Sequence, residues 1–284
     1  MEWSIQSLDR PERLTEWQAL QHACECNVGI DAGLLAQLAR HGGWVLGVAE
    51  QGRLRGAAVA VLGGDSRSDR RVAQARLKVH LVALLVDPAW RRRGIATTLM
   101  LGLRRAAELD GLPLITWEMD PLDSRTAALS FHRLGASSSA WVGAWPEGEP
   151  DLRRGRPIEV DWWLRSRRVQ ARASASRPDL ALAHYLEAGA QQVNPAGLDA
   201  RGLPTPSLSP DALDGALILL EVVADLPGLL KKDPELASAW RLQVDALLEQ
   251  AYAGGYLVTD FLTLEQEAFP RAYLVLAAGE STLG

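Results

Sequence analysis

The segment Val86-Asp87-Pro88-Ala89-Trp90-Arg91-Arg92-Arg93-Gly94-Ile95-Ala96 gathers the residue types best suited to binding an anion. An apolar run ends at a proline, three arginines follow, and a Gly-x-small pattern opens what reads as a helix. The first backbone N–H groups of a helix lack internal partners, and the helix dipole favours negative charge there. Gly94 and Ala96 carry no bulk, so a diphosphate can approach the main chain closely. Arg91, Arg92 and Arg93 add charge-assisted hydrogen bonds to phosphate. Groups able to move a proton are fewer: His80 within the apolar run, and Glu118 and Asp120 at the end of the next one.

The elements that must hold these residues alternate between the two-residue and 3.6-residue periods. Residues 4–8 read as a strand, and 13–24 and 31–40 as helices, the second capped by Asp31. Residues 44–49 and 54–62 form a hairpin signal around Glu50-Gln51-Gly52-Arg53, and 63–73 read as a mobile loop. Residues 77–86 form a strand with almost no polar interruption, as expected when both faces are covered. A helix follows over 94–109, with Ile95, Leu99, Leu103 and Ala107 on one stripe and Gly111 as its cap. Then come a strand at 114–119, a helix at 124–134 stopped by Gly135, and strands at 137–144 and 158–164. From 165 to 210 the pattern dissolves into Arg, Ser, Ala and Pro with one short helix near 179–186, and reads as a long connection. Order resumes with a strand at 216–223, a helix opened by Asp233-Pro234, and strands at 256–263 and 271–276. No repeat is visible at the residue level.

Arg91-x-x-Gly94-x-Ala96, with Val86-x-Pro88 before it, resembles the acyl-CoA signature of the GNAT superfamily of N-acetyltransferases, (Q/R)-x-x-G-x-(G/A) preceded by V-x-P. The order of strands and helices over roughly the first 165 residues follows the same plan. The resemblance implies an α/β (α+β) fold: a mixed, mainly antiparallel twisted sheet flanked by helices, here with a smaller C-terminal α+β lobe. It implies that the main chain of Leu84, Leu85 and Val86 holds a pantetheine arm like an added strand. Arg92, Arg93, Gly94, Ile95, Ala96 and Thr97 would hold the pyrophosphate, with Arg91 beside it. A backbone N–H of Leu84 or Leu85, with Leu85 as the named choice, would steady the oxyanion. The following helix resembles the family's N-x-x-A-x-x-x-Y-x-x-x-G-F: Ala127 and Gly135 match, but Ser124, Phe131 and Ala136 replace Asn, Tyr and Phe. Phe131 has no proton to give the leaving thiolate. Val82 stands where many members carry a catalytic Glu, which leaves Asp120, Glu118 and His80 as candidate bases. His132, about 100° around the helix from Phe131, reads as a surface or packing residue.

The implied activity is transfer of an acetyl or other short acyl group from acetyl-CoA or another acyl-CoA to a primary amine. The acceptor is expected to be a small molecule or amino acid, attacked directly in a ternary complex. Trp117-x-x-Asp120-Pro121-Leu122 and Asp161-Trp162-Trp163-Leu164 resemble a group within the superfamily that carries a C-terminal extension, for which succinyl is a second acyl group. The alternative reading is a non-catalytic acyl-CoA sensor or interaction module. The expected division is a catalytic domain over 1–168, a connection over 169–210 and a lobe over 211–284, with a homodimer among the assemblies considered.

Composition narrows the classes. A formal net charge of −5 over 284 residues argues against nucleic acid as a partner. No apolar run reaches the ~18–20 residues of a membrane span, and no secretory leader is visible, so the expected compartment is the cytoplasm. Cys24 and Cys26 lie two residues apart without a second Cys/His pair, which favours neither a disulfide nor a zinc site, and no metal is expected.

Overall fold

Local signals near the N-terminus set the first elements of the structure, a computed structural model that describes residues 3–8, 11–25, 28–64, 77–143, 155–174, 180–265 and 269–279. The carboxylate of Asp31 accepts from the amide of Leu34 at 2.7 Å and starts α2 (Ala32–Arg40), which follows α1 (Pro11–Ala23). Gln51 and Gly52 both adopt positive φ, the geometry of a tight turn, and join β2 (Trp44–Glu50) to β3 (Arg53–Gly64). The expected loop at 63–73 starts later, because Gly63 and Gly64 extend β3; its remainder lies outside the described residues.

By backbone contacts the chain divides into two compact units, residues 1–117 and 118–284. In the first, β1 (Ile5–Ser7), β2, β3 and β4 (Leu77–Val86) are antiparallel neighbours in that order. β4 then runs parallel to β5 (Leu114–Met119). Trp17, Leu20, Leu35, Val45, Val59 and Leu85 belong to the core under α1 and α2. Gly56 makes room for α3 (Ile95–Leu109): a Cβ there would lie 2.5 Å from Ile95 Cγ2 and 3.1 Å from the Leu85 carbonyl oxygen.

In the second unit, α4 (Ser124–Ala127) continues as a π-helical segment (Ala128–Arg133) that ends at Gly135, whose φ is +73°. β6 (Ser137–Trp141) and β7 (Ile158–Trp163) are antiparallel. The stretch read as a connection over 165–210 is instead built into the fold. It contains α5 (Arg167–Ala173), α6 (Leu182–Glu187) and the two-residue strands β8 (Gln191–Gln192), β9 (Gly197–Leu198) and β10 (Pro204–Thr205). Its periodicity is weak because the two helices span fewer than two full turns and each strand only two residues. After it come β11 (Leu217–Val223), α7 (Leu226–Lys232), α8 (Pro234–Ala253), β12 (Tyr256–Leu264) and β13 (Arg271–Ala278). The sheet of this unit runs β7-β6-β12-β13-β11-β8.

The second unit is held by a buried acid at its centre. Asp260, on β12 beside a bulge, accepts from His132 Nδ1 (3.0 Å), Arg172 (2.6 Å), Tyr185 Oη (2.8 Å) and the Phe261 amide (2.8 Å). Burial alone would raise its pKa, but these donors and the Arg172 charge outweigh it and hold the carboxyl below its ordinary value. His132 is therefore more than a packing residue, since it partners a residue 128 positions away.

Candidate functional site

The segment read from sequence as an anion cradle lies at the junction of β4 and α3. Asp87 fixes the turn: its side chain accepts from the Ala89 amide at 3.0 Å, and its own amide donates to the Arg55 carbonyl at 2.9 Å. Arg55 returns to Asp87 as an ion pair of 3.1 Å and stacks on Trp90, 4.6 Å from the ring centroid. Arg93 covers Trp90 as well, at 4.5 Å, while Trp3 meets the ring edge-on and donates to the Arg93 carbonyl at 2.7 Å. Trp90 is thus the support on which the arginine turn is held, a role the sequence reading missed. The triple arginine run next to an aromatic was the available signal.

Beyond Trp90 the chain reverses hand at Arg92 (φ +61°) and again at Gly94 (φ +82°), residues of the exposed stretch 91–94. Such alternation turns successive amides toward one concavity. Among the described residues, the first α3 amide with a main-chain acceptor is Thr98, bonded to the Gly94 carbonyl at 2.9 Å; the amides of 92–97 have none. No acidic residue occupies the first turn of α3, and a Cβ at Gly94 would meet no heavy atom within 4 Å. Arg91 Nε donates to the Val86 carbonyl at 3.4 Å, whereas Arg92 is exposed with no ion-pair partner among the described residues. Ile95 is buried, so only its amide can serve the cradle; Ala96 and Thr97 are half-buried. The arrangement fits a diphosphate.

A slot leads into the cradle along β4. Its pairing with β5 is confined to Val79–Ile115 and His80–Thr116, so among the described pairings the stretch from Leu81 to Val86 has no rung on that side. On the other side, the register with β3 slips at Val82, a bulge that places one extra residue on β4. Val82 is also exposed, where the sequence implied a strand covered on both faces. Antiparallel partners alternate between bonded and non-bonded pairs. Asp87 donates to Arg55, so Leu85 faces Ala57 as a bonded pair, whereas the N–H and C=O of Leu84 and Val86 point away from β3, where the Val86 carbonyl accepts from Arg91 Nε and Cys24 Sγ. Of the two amides expected as oxyanion donors, that of Leu85 faces β3 and that of Leu84 faces away from it.

The candidate bases differ in engagement. His80 Nδ1 lies 3.1 Å from Thr116 Oγ1, a bond that orients the ring. Asp120 is held by a two-point fork from Arg241, at 3.0 and 2.9 Å, and also accepts the Leu122 amide at 2.9 Å, so its lone pairs are largely spent. Glu118 is exposed, on the same face of β5 as Thr116 by the two-residue period. Phe131, in place of an acidic tyrosine, is fully buried. Cys24 Sγ donates to the Val86 carbonyl at 3.4 Å, while Cys26 lies outside the described residues.

One carboxylate stands out that the sequence reading did not single out. Along one stripe of α8, Arg241 binds Asp120, Glu249 binds Arg156 at 2.6 Å, and Tyr252 reaches Ser138 Oγ at 2.9 Å. Asp245, between them, has a buried Oδ1 with no hydrogen-bond partner among the described residues. Burial pushes its pKa up to about 6; Arg241 opposes that, Asp120 adds to it, and Arg156 opposes it. The described residues contain no cluster of His, Cys, Asp or Glu able to hold a metal ion. No described helix is long and apolar enough to cross a membrane.

The model of the acetyltransferase (GNAT) family matches residues 3–136. No curated protein matches the chain significantly. Among solved structures, the ribosomal-protein-S18-alanine N-acetyltransferase of Escherichia coli is 16% identical, covering 56% of this chain and 91% of its own, with a TM-score of 0.42. A putative acetyltransferase from Salmonella typhimurium, solved with its cofactor acetyl-CoA, is 16% identical over 64% of this chain and 100% of its own (TM-score 0.44). An N-acetyltransferase from Staphylococcus aureus Mu50 is 13% identical over 57% and 97% (TM-score 0.43). Over residues 3–136, where the bulged β4 and its one-sided edge lie, the chain carries an acetyltransferase (GNAT) domain.

Proposed function

We propose that the chain transfers an acetyl or other short acyl group, succinyl included, from an acyl-CoA to the primary amine of a small molecule or amino acid. The observation that carries this reading is the succession of two main-chain surfaces without recorded main-chain partners, the side of β4 that faces away from β3 from Leu81 to Leu84 and the amides of 92–97. The pyrophosphate lies on the cradle, with the exposed Arg92 as its nearest counter-charge. The pantetheine amides add to the edge at Leu84 and Val86 as a strand would.

In the reaction the amine nitrogen attacks the thioester carbonyl, and the carbonyl oxygen gains negative charge. The Leu84 N–H is aimed at that oxygen from an edge with no competing acceptor. Collapse breaks the C–S bond, and CoA leaves as a thiolate that takes its proton from water, since Phe131 has none to give. The proton lost by the amine goes to a base. Glu118 is the favoured group, because Asp120 is committed to Arg241; His80, its ring oriented by Thr116 through Nδ1, is the second candidate. A panel of amines and amino acids assayed for thiol release tests the reading. Release that depends on amine, and that falls about a hundredfold in Glu118→Gln while CoA affinity is kept, is the expected result. Thiol release that ignores every amine would refute acyl transfer to nitrogen.

A further inference from the structure

The C-terminal part of the second unit repeats a plan already present earlier in the chain. From β4 onward the order is strand, helix, strand, helix, strand, strand: β4 runs parallel to β5 over two rungs, a helical segment follows, and β6 and β7 pair antiparallel. From β8 onward, β8 runs parallel to β11 over two rungs, Gln191–Ile218 and Gln192–Leu219. Helices α7 and α8 follow, and β12 and β13 pair antiparallel. Only the helix between the two parallel strands is missing, replaced by the β9–β10 ribbon.

The two series meet through equivalent strands in an equivalent way. β6 and β12 are antiparallel, with Ser138 opposite Val258. Tyr252, at the end of the helix before β12 and six residues ahead of Val258, bonds Ser138 on β6. His132, at the end of the helical segment before β6 and six residues ahead of Ser138, bonds Asp260 on β12. Each helix end thus reaches the other series' strand, the reciprocity that marks a two-fold contact between like surfaces.

The features that hold an acyl-CoA are absent from the later series. Where β4 leaves β5 it continues as an unpaired edge; where β8 leaves β11 the gap is sealed. Asn194, fully buried, accepts from the Glu221 amide at 2.7 Å and donates to the Glu221 carbonyl at 2.9 Å, imitating a further rung of strand. The Ala196 amide is taken by Glu221 Oε2 at 2.8 Å, and Arg271 locks that carboxylate at 2.6 Å. Where β4 runs into α3, β8 runs into the β9–β10 ribbon, so no helix N-terminus stands at its end.

We infer that β8–β13 is an incomplete second copy of the half-domain β4–β7, which has lost its acyl-CoA site and serves as the built-in partner of the β6 edge. The part concerning acyl-CoA rests on the function proposed above. An uncovered β6 edge would be a template for a strand from another chain. With β12 on it, the chain carries its own partner and acts as a monomer with one acyl-CoA site.

Three measurements on the full chain test this. Calorimetric titration with acetyl-CoA is expected to give one site per chain, whose Kd rises about a hundredfold in Gly94→Glu. Two sites, or a second site of unchanged affinity surviving that change, would overturn the inference while leaving the proposed function intact. No binding by the parent would sink the acyl-CoA reading instead, and the remaining tests still bear on the copy. Light scattering is expected to return the mass of one chain, and a dimer overturns the built-in partner. The pair Ser138→Cys and Val258→Cys, oxidised in a background with Cys24 and Cys26 changed to Ser, is expected to cross-link within one chain; a chain-to-chain bridge contradicts the assignment.

Discussion

Gly94→Glu isolates the cradle from the rest of the fold, because the two costs it incurs fall on different observables. An added Cβ meets nothing within 4 Å, so no neighbour must move. The backbone, however, sits at φ +82°, ψ 0°, where an L residue is strained by about 1 kcal/mol. Gly94→Ala should therefore lower stability by about that amount, seen as a shift in the urea midpoint, and change CoA affinity little. The glutamate adds a carboxylate about 5 Å from a diphosphate of roughly two charges. At an exposed turn each charge pair costs about 1 kcal/mol, near the water limit of Coulomb's law. The sum, with some loss of amide contact, is about 3 kcal/mol, on the order of a hundredfold in Kd. Calorimetry with CoA in low and high salt is the assay. Part of the Glu loss should be recovered by salt and none of the Ala loss, since only the former is Coulombic. A folded Gly94→Glu protein that binds CoA within threefold of the parent would refute the placement of the diphosphate on these amides.

Other expectations follow from side chains whose partners are now known. Asp245 has its pKa raised to about 6 from 3.8, so the folded chain holds a proton that the unfolded chain releases between those values. Stability from this group is greatest below about 3.8 and falls as pH rises through 6. Asp245→Asn should accordingly raise the unfolding free energy from urea titration at pH 8 by about 1 kcal/mol after allowance for its partial exposure, and give no gain at pH 4; a loss at both would count against it. Asp260, with its pKa lowered, contributes in the opposite sense: its support is complete above the ordinary carboxylate range and lost as pH falls through the folded value. Asp260→Ala should cost about 3–5 kcal/mol, because Arg172 would be left buried without its counter-ion; a thermal midpoint within 2 °C of the parent would contradict that. Gly56→Ala forces a methyl against Ile95 and should cost about 1–3 kcal/mol, with weaker CoA binding as the start of α3 shifts. Stability unchanged by denaturant titration would mean that α3 is not fixed where Gly56 meets it.

The cradle was legible from sequence because its parts are contiguous. A strand, a proline turn, three arginines and a glycine within eleven residues determine their own local geometry, and short-range rules suffice to read it. The alternation of helices and strands up to residue 164 was legible for the same reason. What the linear chain does not contain is which distant groups become neighbours. Asp120 reads from sequence as a candidate base, and only the fold shows that α8 brings Arg241 to it from 121 positions away. Leu85 and Leu84 could not be told apart until the β3 ladder fixed which amide is consumed. Residues 165–210 looked like a tether because two-residue strands carry no period, although Arg172 and Asn194 within them are buried and bonded. The second copy is the clearest case. Its side chains show no repeat, since a strand order and a reciprocal contact constrain only where chain segments lie, and many sequences bury the same surfaces equally well.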